Sequence, residues 1–270
     1  MKKTVLFIGL FLSFYSFSQE QFEWSEKSKF QIDSTDVWAV DILGNTYVTK
    51  KEVIQKFDST GNFKFSQSQK SMGRLSSIQS INTMKFVIFS EEQQMMCFLD
   101  NTLTPYETCV GFEDEGINNA TNIATSSQPN KFWVYDQLNS RLHLLALSQR
   151  NQSQEIENLK GLLNSLQVSF MMEFDNLLYI LDSNQGVFVF DMYGSLINFI
   201  KRSKCIGIQV DNNSYYLIEN DYLVIINREN GAEIKIKCPF EGVIDFKKNG
   251  GNYFFRTKKE IKKYHLLFNK

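Results

Sequence analysis

Short runs of apolar residues alternate along the whole chain with turns that contain Gly, Asn or Asp. The first clear example is DILGNTYV at residues 41–48, in which a Gly-Asn turn joins two strand-like segments. A third strand, VIQKFDSTG at residues 53–61, ends in an Asp-x-x-Gly turn, and residues 63–67 supply a fourth. The pattern predicts a unit of four short antiparallel strands.

The same order of strands and turns recurs about every 40 residues. LLYIL at residues 177–181 and GVFVFDMYG at residues 186–194 repeat it closely, and weaker copies fill the remainder. The second strands align at spacings of 40, 46, 46, 37 and 38 residues through Tyr47, Val87, Trp133, Tyr179, Tyr216 and Phe254.

Repeats of this length with four strands each are typical of a β-propeller, because stacking around an axis buries the sheet faces that one unit cannot bury alone. We therefore predict an all-β fold, a six-bladed β-propeller with four-stranded blades, as a single domain over residues 19–270. The second-strand residues should form a structural aromatic layer between blades: Tyr47, Trp133, Tyr179, Tyr216 and Phe254.

The end of the chain predicts how the ring closes. The sixth unit has only three strands before Lys270, whereas Gln21 to Ser25 alternates and is strand-like. We expect this N-terminal strand to complete the last blade by pairing near residues 264–267.

Two segments carry a resemblance to a known family. Residues 41–61 and residues 184–191 resemble NHL-type repeats. The resemblance implies a six-bladed propeller of the exported bacterial type, and the remaining units share it more loosely. The family includes enzymes, sensors and scaffolds, so the resemblance implies a fold and not an activity.

One segment supports two interpretations. Ile156, Leu159, Leu163 and Leu166 recur at helical spacing, which favours a helix. Gly161 opposes a helix, and the third unit needs an outer strand. We favour a strand through Ile156 followed by an irregular link.

Residues 1–18 have the pattern of a secretory signal peptide. Lys2 and Lys3 precede an uncharged, mostly apolar run to Phe17, and Ser16 and Ser18 are the small residues of a cleavage site. The run is shorter than the roughly 20 residues of a membrane span. We expect an exported protein, periplasmic or secreted, that does not span a membrane once the signal is removed.

Composition excludes two classes of protein. The 270 residues are 43% hydrophobic and 14% aromatic, which is too apolar for a disordered chain. The 29 Lys and Arg residues balance 30 Asp and Glu residues, so the net charge of −1 does not suit nucleic-acid binding.

The four cysteines suit an oxidising compartment. Cys97 and Cys109 flank a short turn and are a possible disulfide, whereas Cys205 and Cys238 are a less favoured pair or buried thiols. No C-x-x-C motif occurs and the chain has only two histidines, so we expect neither a metal nor a cofactor.

The residues do not predict a catalytic centre. The expected inner strands are apolar or neutral, with Asp41 and Asp245 near strand ends, and His143 and His265 fall on third strands away from the axis. Neither a G-x-S-x-G motif nor a glycine-rich phosphate loop occurs.

An acidic stretch is a possible partner loop. It lies between the second and third units and consists of Glu113, Asp114 and Glu115. Such a stretch suits a cation or a basic partner, although a solvated loop is the favoured interpretation.

These observations favour an exported, non-catalytic propeller that acts as a protein-binding or scaffold module in the cell envelope. We expect a monomer whose partner is another envelope or secreted protein. The alternative is a small-ligand-binding or lactonase/lyase-like propeller enzyme. A deep axial pocket lined by acids and amides would favour that alternative.

The signal-peptide prediction is tested by intact mass. Protein recovered from the medium or periplasm should lack residues 1–18 and begin at Gln19, because the peptidase cleaves after the small residue Ser18. An exported protein that keeps Lys2 and Lys3 would contradict the prediction.

Overall fold

The computed structural model describes residues 21–148, 150–163 and 166–269. Its strands form six separate four-stranded antiparallel sheets, each following the chain order of its strands except the last. The prediction of a six-bladed β-propeller with four-stranded blades is confirmed. The predicted signal peptide lies outside the described residues.

Blades 1 to 3 each take four consecutive strands. Blade 1 contains β2 (Trp38–Val40), β3 (Thr46–Lys50), β4 (Val53–Phe57) and β5 (Phe63–Ser68). Blade 2 contains β6 (Ser77–Ser80), β7 (Lys85–Ser90), β8 (Met95–Asp100) and β9 (Val110–Gly111). Blade 3 contains β10 (Ala120–Thr125), β11 (Lys131–Asp136), β12 (Arg141–Ala146) and β13 (Gln154–Ile156).

Blades 4 and 5 repeat this order, and blade 6 takes one strand from the start of the chain. Blade 4 contains β14 (Val168–Phe174), β15 (Leu177–Asp182), β16 (Gly186–Phe190) and β17 (Leu196–Lys201). Blade 5 contains β18 (Cys205–Val210), β19 (Ser214–Glu219), β20 (Tyr222–Asn227) and β21 (Glu233–Lys237). Blade 6 contains β22 (Asp245–Asn249), β23 (Asn252–Arg256), β24 (Glu260–Asn269) and β1 (Gln21–Gln31).

The N-terminal strand closes the ring. Strand β1 runs antiparallel to β24 from the pair Gln21–Asn269 to the pair Gln31–Glu260, with one irregularity at residues 26–28. Trp24 packs edge-on against Tyr253 and Phe255 at centroid distances of 5.3 and 5.2 Å. The predicted closure is therefore confirmed, and the ladder is longer than the predicted pairing near residues 264–267.

Six apolar clusters hold the ring together, and each cluster joins two consecutive blades. The predicted aromatic layer contributes one buried residue to five of them, in different inter-blade spaces: Tyr47, Trp133, Tyr179, Tyr216 and Phe254. Val87 takes the corresponding place between blades 2 and 3. Equivalent positions in the repeat thus pack in equivalent places between consecutive blades.

Aspartates at the ends of third strands set the turns of several blades. The Oδ1 atom of Asp58 accepts hydrogen bonds from the backbone N–H groups of Thr60 and Asn62 at 3.0 and 2.9 Å. Asp100 and Asp191 make the same two bonds, to the residues two and four positions ahead. This side-chain turn explains why Asp recurs at this place in the repeat.

The chain order places two kinds of connection on each face of the ring. We call the upper face the one that carries the connections between blades and the turns between second and third strands. The lower face carries the other two sets of turns. An inner strand therefore begins at the upper face and ends at the lower face.

The segment with two interpretations contains both elements. A strand ends at Ile156, as favoured, but a short α-helix, α1 (Leu159–Leu163), follows it in place of an irregular link. Leu159, Leu163 and Leu166 are buried between blades 3 and 4. The spacing of Leu159 and Leu163 therefore reflects a real turn of helix that covers the blade interface.

Within the described residues, no helix combines the length and the apolar character that crossing a membrane requires.

The aromatic layer predicts a large stability effect at Trp133. This side chain is buried between blades 3 and 4, so Trp133→Ala should lower the free energy of unfolding by about 3–5 kcal/mol through cavity formation. Tyr222→Ala is the control, because Tyr222 is 42% exposed and its loss should cost about 1 kcal/mol or less. Urea denaturation measures both. An effect of Trp133→Ala below about 1 kcal/mol would contradict the packing role.

Ring closure predicts the effect of deleting residues 19–27. The deletion removes the part of β1 that carries Trp24 and exposes the edge of β24. We expect the melting temperature to fall by roughly 10 °C and oligomers to form, as measured by calorimetry and light scattering. Deleting only residues 19–20 is the matched control and should change neither the melting temperature nor the oligomeric state. A monomer that melts within about 2 °C of the intact chain would mean that β1 does not hold the ring shut.

Candidate binding sites on the ring axis and on the edge of blade 4

The inner strands converge on an axial cavity that opens at the upper face. Its volume is about 210 Å³, and it is lined from blades 1, 2, 3, 4 and 6 by residues that include Trp38, Ser77, Gln79, Ile123, Phe170, Lys247 and Arg256. Cavities of about 360 and 800 Å³ share lining residues with it. Arg256 is common to all three.

The prediction of apolar or neutral inner strands is wrong for blade 6. Its inner strand begins at Asp245, two residues later than expected, and carries Lys247 and Lys248. The ammonium of Lys247 lies 5.1 Å from the ring centre of Trp38 in blade 1 and 5.7 Å from that of Phe170 in blade 4. This cation therefore bridges blades 1 and 4 near the axis.

The two acids noted near strand ends have structural partners. Asp245 accepts a hydrogen bond of 2.7 Å from the indole Nε1 of Trp38 and so ties blade 6 to blade 1. Asp41 accepts the hydroxyl of Tyr47 at 2.9 Å and caps its own turn. Burial, with the Asp41 carboxylate beside it, raises the pKa of Tyr47.

Arg256 ends the second strand of blade 6 at the upper mouth of the axis. It is only 8% exposed, and its Nη2 donates to the carbonyl oxygens of Asp33 and Ser34 at 3.3 and 3.2 Å. Its Nε is buried and has no hydrogen-bond partner among the described residues. Burial lowers the pKa of Arg256, while Asp245 and Asp36 act in the opposite direction.

Sequence reasoning missed Arg256 and also Glu173, which lies near the lower end of the β14 inner strand. Glu173 accepts a hydrogen bond from Trp133 Nε1 at 2.5 Å and another from the backbone N–H of Ser127 at 2.7 Å. Both residues follow apolar strand segments and carry no motif. Arg256 lines the cavities on the axis, whereas Glu173 ties blade 4 to blade 3.

The structure joins Cys97 and Cys109 by a disulfide, with their Cα atoms 4.3 Å apart. Cys205 and Cys238 are not paired; both are free and buried, in different inter-blade clusters. Burial raises the pKa of Cys205 to about 11 and that of Cys238 to about 12. These two thiols therefore stay protonated at neutral pH.

Both histidines lie on third strands, away from the axis. His143 belongs to β12 and His265 to β24. His143 is buried, and desolvation lowers its pKa. Neither residue lines the three axial cavities.

The acidic stretch forms a short 3-10 helix, Glu113–Glu115, in the connection between blades 2 and 3. Buried Phe112 and Ile117 anchor it on either side, while Glu113 and Asp114 are exposed. It lies on the upper face but does not line the axial cavities. Its role as a partner loop stays a prediction.

A second candidate site lies on the rim of the ring. The outer strand of blade 4 and the turn before it expose four large apolar side chains, which we call the blade 4 patch: Tyr193, Leu196, Ile197 and Phe199. Tyr193 is 75% exposed and Ile197 52%. Phe199 stacks on Phe188 at 4.5 Å, which holds its ring upright on the sheet.

The strand that carries the patch has a free edge. Among the described strands, β17 pairs only with β16. The backbone N–H of Phe199 donates to the side-chain oxygen of Asn198 at 2.8 Å. This contact within the edge can be exchanged for a bond to another strand.

Within the described part of the chain, no group of three or more His, Cys, Asp or Glu residues is arranged to hold a metal ion.

No protein-family model matches the chain, and no curated protein matches its sequence. Its fold is similar to that of virginiamycin B lyase from Staphylococcus aureus, with 12% identity, a TM-score of 0.62, and coverage of 92% of this chain and 100% of that one. A streptogramin B lyase gives 14% identity, a TM-score of 0.61, and coverage of 92% and 98%.

A protein of another class is equally similar. The Pan2 WD40 domain from Neurospora crassa has 10% identity, a TM-score of 0.62, and coverage of 90% of this chain and 95% of that domain. An enzyme and a WD40 domain therefore share this architecture at the same level. The likenesses show the propeller fold alone.

Proposed function

We propose that the chain is an exported, non-catalytic propeller that binds another envelope or secreted protein through the blade 4 patch. The exposed apolar outer strand of that blade carries the proposal. Contiguous apolar surface on a soluble domain is typical of an interaction site. The proposal includes cleavage of the signal peptide at residues 1–18.

The other outer strands support this choice by contrast. Strand β5 contains Lys64, β13 contains Glu155, and β9 is only two residues long. Strand β21 alternates charged and apolar residues over Glu233–Lys237. Charges and short strands protect sheet edges from pairing with other chains, and β17 has neither protection before Lys201.

The form of the site favours an extended segment as the occupant. A partner strand added to the free edge of β17 would take backbone hydrogen bonds along residues 198–201, beyond the irregularity in the pairing with β16 at residues 196–198. Its alternate apolar side chains would cover Phe199 and Leu196. The acidic residues Glu113 and Asp114 remain a candidate second contact, for a basic part of the partner.

We also propose that the chain is an NHL-like repeat protein. The shared turn chemistry of Asp58, Asp100 and Asp191 supports a common ancestry of blades 1, 2 and 4. This relationship concerns ancestry and leaves the partner open.

A charge placed in the patch tests the proposal. Tagged protein is expressed with its signal peptide in its own host, crosslinked and purified, and the co-purifying proteins are quantified by mass spectrometry. Ile197→Lys should reduce recovery of the specific partner at least about tenfold, because a lysine on the edge disfavours strand addition.

Ile234→Lys is the matched control. Ile234 lies on the outer strand of blade 5 and is 42% exposed, but charged residues flank it on both sides. This variant should recover the partner as the unchanged protein does. Equal recovery with Ile197→Lys would overturn the proposal. Self-association abolished by Ile197→Lys would also overturn it, because the occupant would then be a second copy of the chain.

A further inference from the structure

We propose that Arg256 forms the anchor of a carboxylate-binding site at the upper mouth of the ring axis. The ligand is a small monocarboxylate with an apolar body or the C-terminal residue of a peptide. The proposal concerns the axis and does not depend on the blade 4 patch on the rim.

The Arg256 side chain is buried and has few polar partners among the described residues. It is 92% buried (8% exposed), and it forms no ion pair with a carboxylate of the described residues. Two long bonds from one nitrogen to backbone carbonyls are its only hydrogen bonds within that part of the chain. Buried arginines are normally paired, because an unpaired charge of low exposure is unfavourable. A bound anion would accept a hydrogen bond from the unpaired Nε.

The position of Arg256 also favours a binding role. Arg256 lines the axial cavity of about 210 Å³ and both cavities that share its lining residues. The larger of these, about 800 Å³, extends across the upper face beside Arg74 and Ser76. A ligand entering from the upper face therefore meets the guanidinium where the three cavities meet.

The same cavity is lined by a second polar residue whose hydroxyl has no partner among the described residues. The hydroxyl Oγ of Ser77 is buried and has no hydrogen-bond partner among the described residues. It belongs to the inner strand of blade 2, whereas Arg256 belongs to blade 6. Two unpaired donors from different blades that line one cavity are typical of a polar ligand site.

Local charge and shape select a carboxylate. Asp36 and Asp245 lie close enough to act electrostatically on Arg256, so a doubly charged phosphate would meet more repulsion than a singly charged carboxylate. Guanidinium groups also match the planar geometry of carboxylates. Trp38, Ile123 and Phe170 line the cavity and suit an apolar body.

Calorimetric titration of the protein that lacks only residues 1–18 tests the site with defined probes. These are butyrate, benzoate, inorganic phosphate, and a hydrophobic pentapeptide as its free acid and as its C-terminal amide. We expect saturable binding of at least one carboxylate. Arg256→Gln should weaken that binding at least about tenfold through loss of a charged hydrogen bond.

Two further variants separate this site from a general charge effect. Ser77→Ala should weaken carboxylate binding about threefold or more. Arg141→Gln is the matched control: Arg141 pairs with Glu155 and Glu157 on blade 3 and lines none of the three axial cavities, so its loss should change the affinity less than about twofold. If Arg256→Gln does not fold, the Nε–H resonance of Arg256 in the unchanged protein should shift on addition of the carboxylate.

The probes also distinguish the source of the carboxylate. Preference for the peptide acid over its amide would support a peptide C terminus, and binding of butyrate or benzoate without peptide binding would support a small molecule. The proposal is overturned if no carboxylate saturates or if phosphate binds more tightly. It is also overturned if, in folded protein, Arg256→Gln leaves the affinity unchanged. An Nε–H resonance that does not move in saturated protein would overturn it as well.

Discussion

Each blade is a four-stranded sheet with two apolar faces, and a sheet of this kind is stable only when both faces are covered. In this protein six clusters of buried residues fill the six spaces between consecutive blades. The space between blades 6 and 1 contains Phe254, Val48 and Phe30. Because Phe30 belongs to β1, the closing strand takes part in the last cluster as well as in the last sheet.

The same geometry concentrates polar groups where the inner strands meet. Inner strands approach one another closely around the axis, so a long side chain from one blade reaches others, as Lys247 of blade 6 does between Trp38 of blade 1 and Phe170 of blade 4. Arg256 is buried there although it shortly precedes a turn in which Lys258 and Lys259 are exposed. The arrangement of the blades thus places the cations of Lys247 and Arg256 in one cavity on the axis.

The rim presents the opposite problem, because every blade ends in a strand with a free edge. Lysines, glutamates or short length protect several of these edges. Blade 4 differs, since Leu196, Ile197 and Phe199 form an exposed apolar strand. The two proposed binding sites, one on the axis and one on the rim, therefore lie on separate parts of the ring.

The sequence by itself determined the architecture. The six second-strand positions, at spacings of 37 to 46 residues, are enough to count the blades, because each blade supplies one buried residue at this place to a different inter-blade space. The missing fourth strand of the last unit predicted closure by β1, since an exposed edge beside aromatic residues is unfavourable.

Only the tertiary structure decided where the unusual chemistry lies. Arg256 follows an apolar strand and has no motif, so its burial is visible only once the carbonyl oxygens of Asp33 and Ser34, 223 and 222 residues earlier in the chain, lie against it. The start of β22 at Asp245 likewise placed Lys247 on an axis that was expected to be neutral. Local patterns determine which residues form strands, whereas unpaired charge depends on neighbours that only the closed ring brings together.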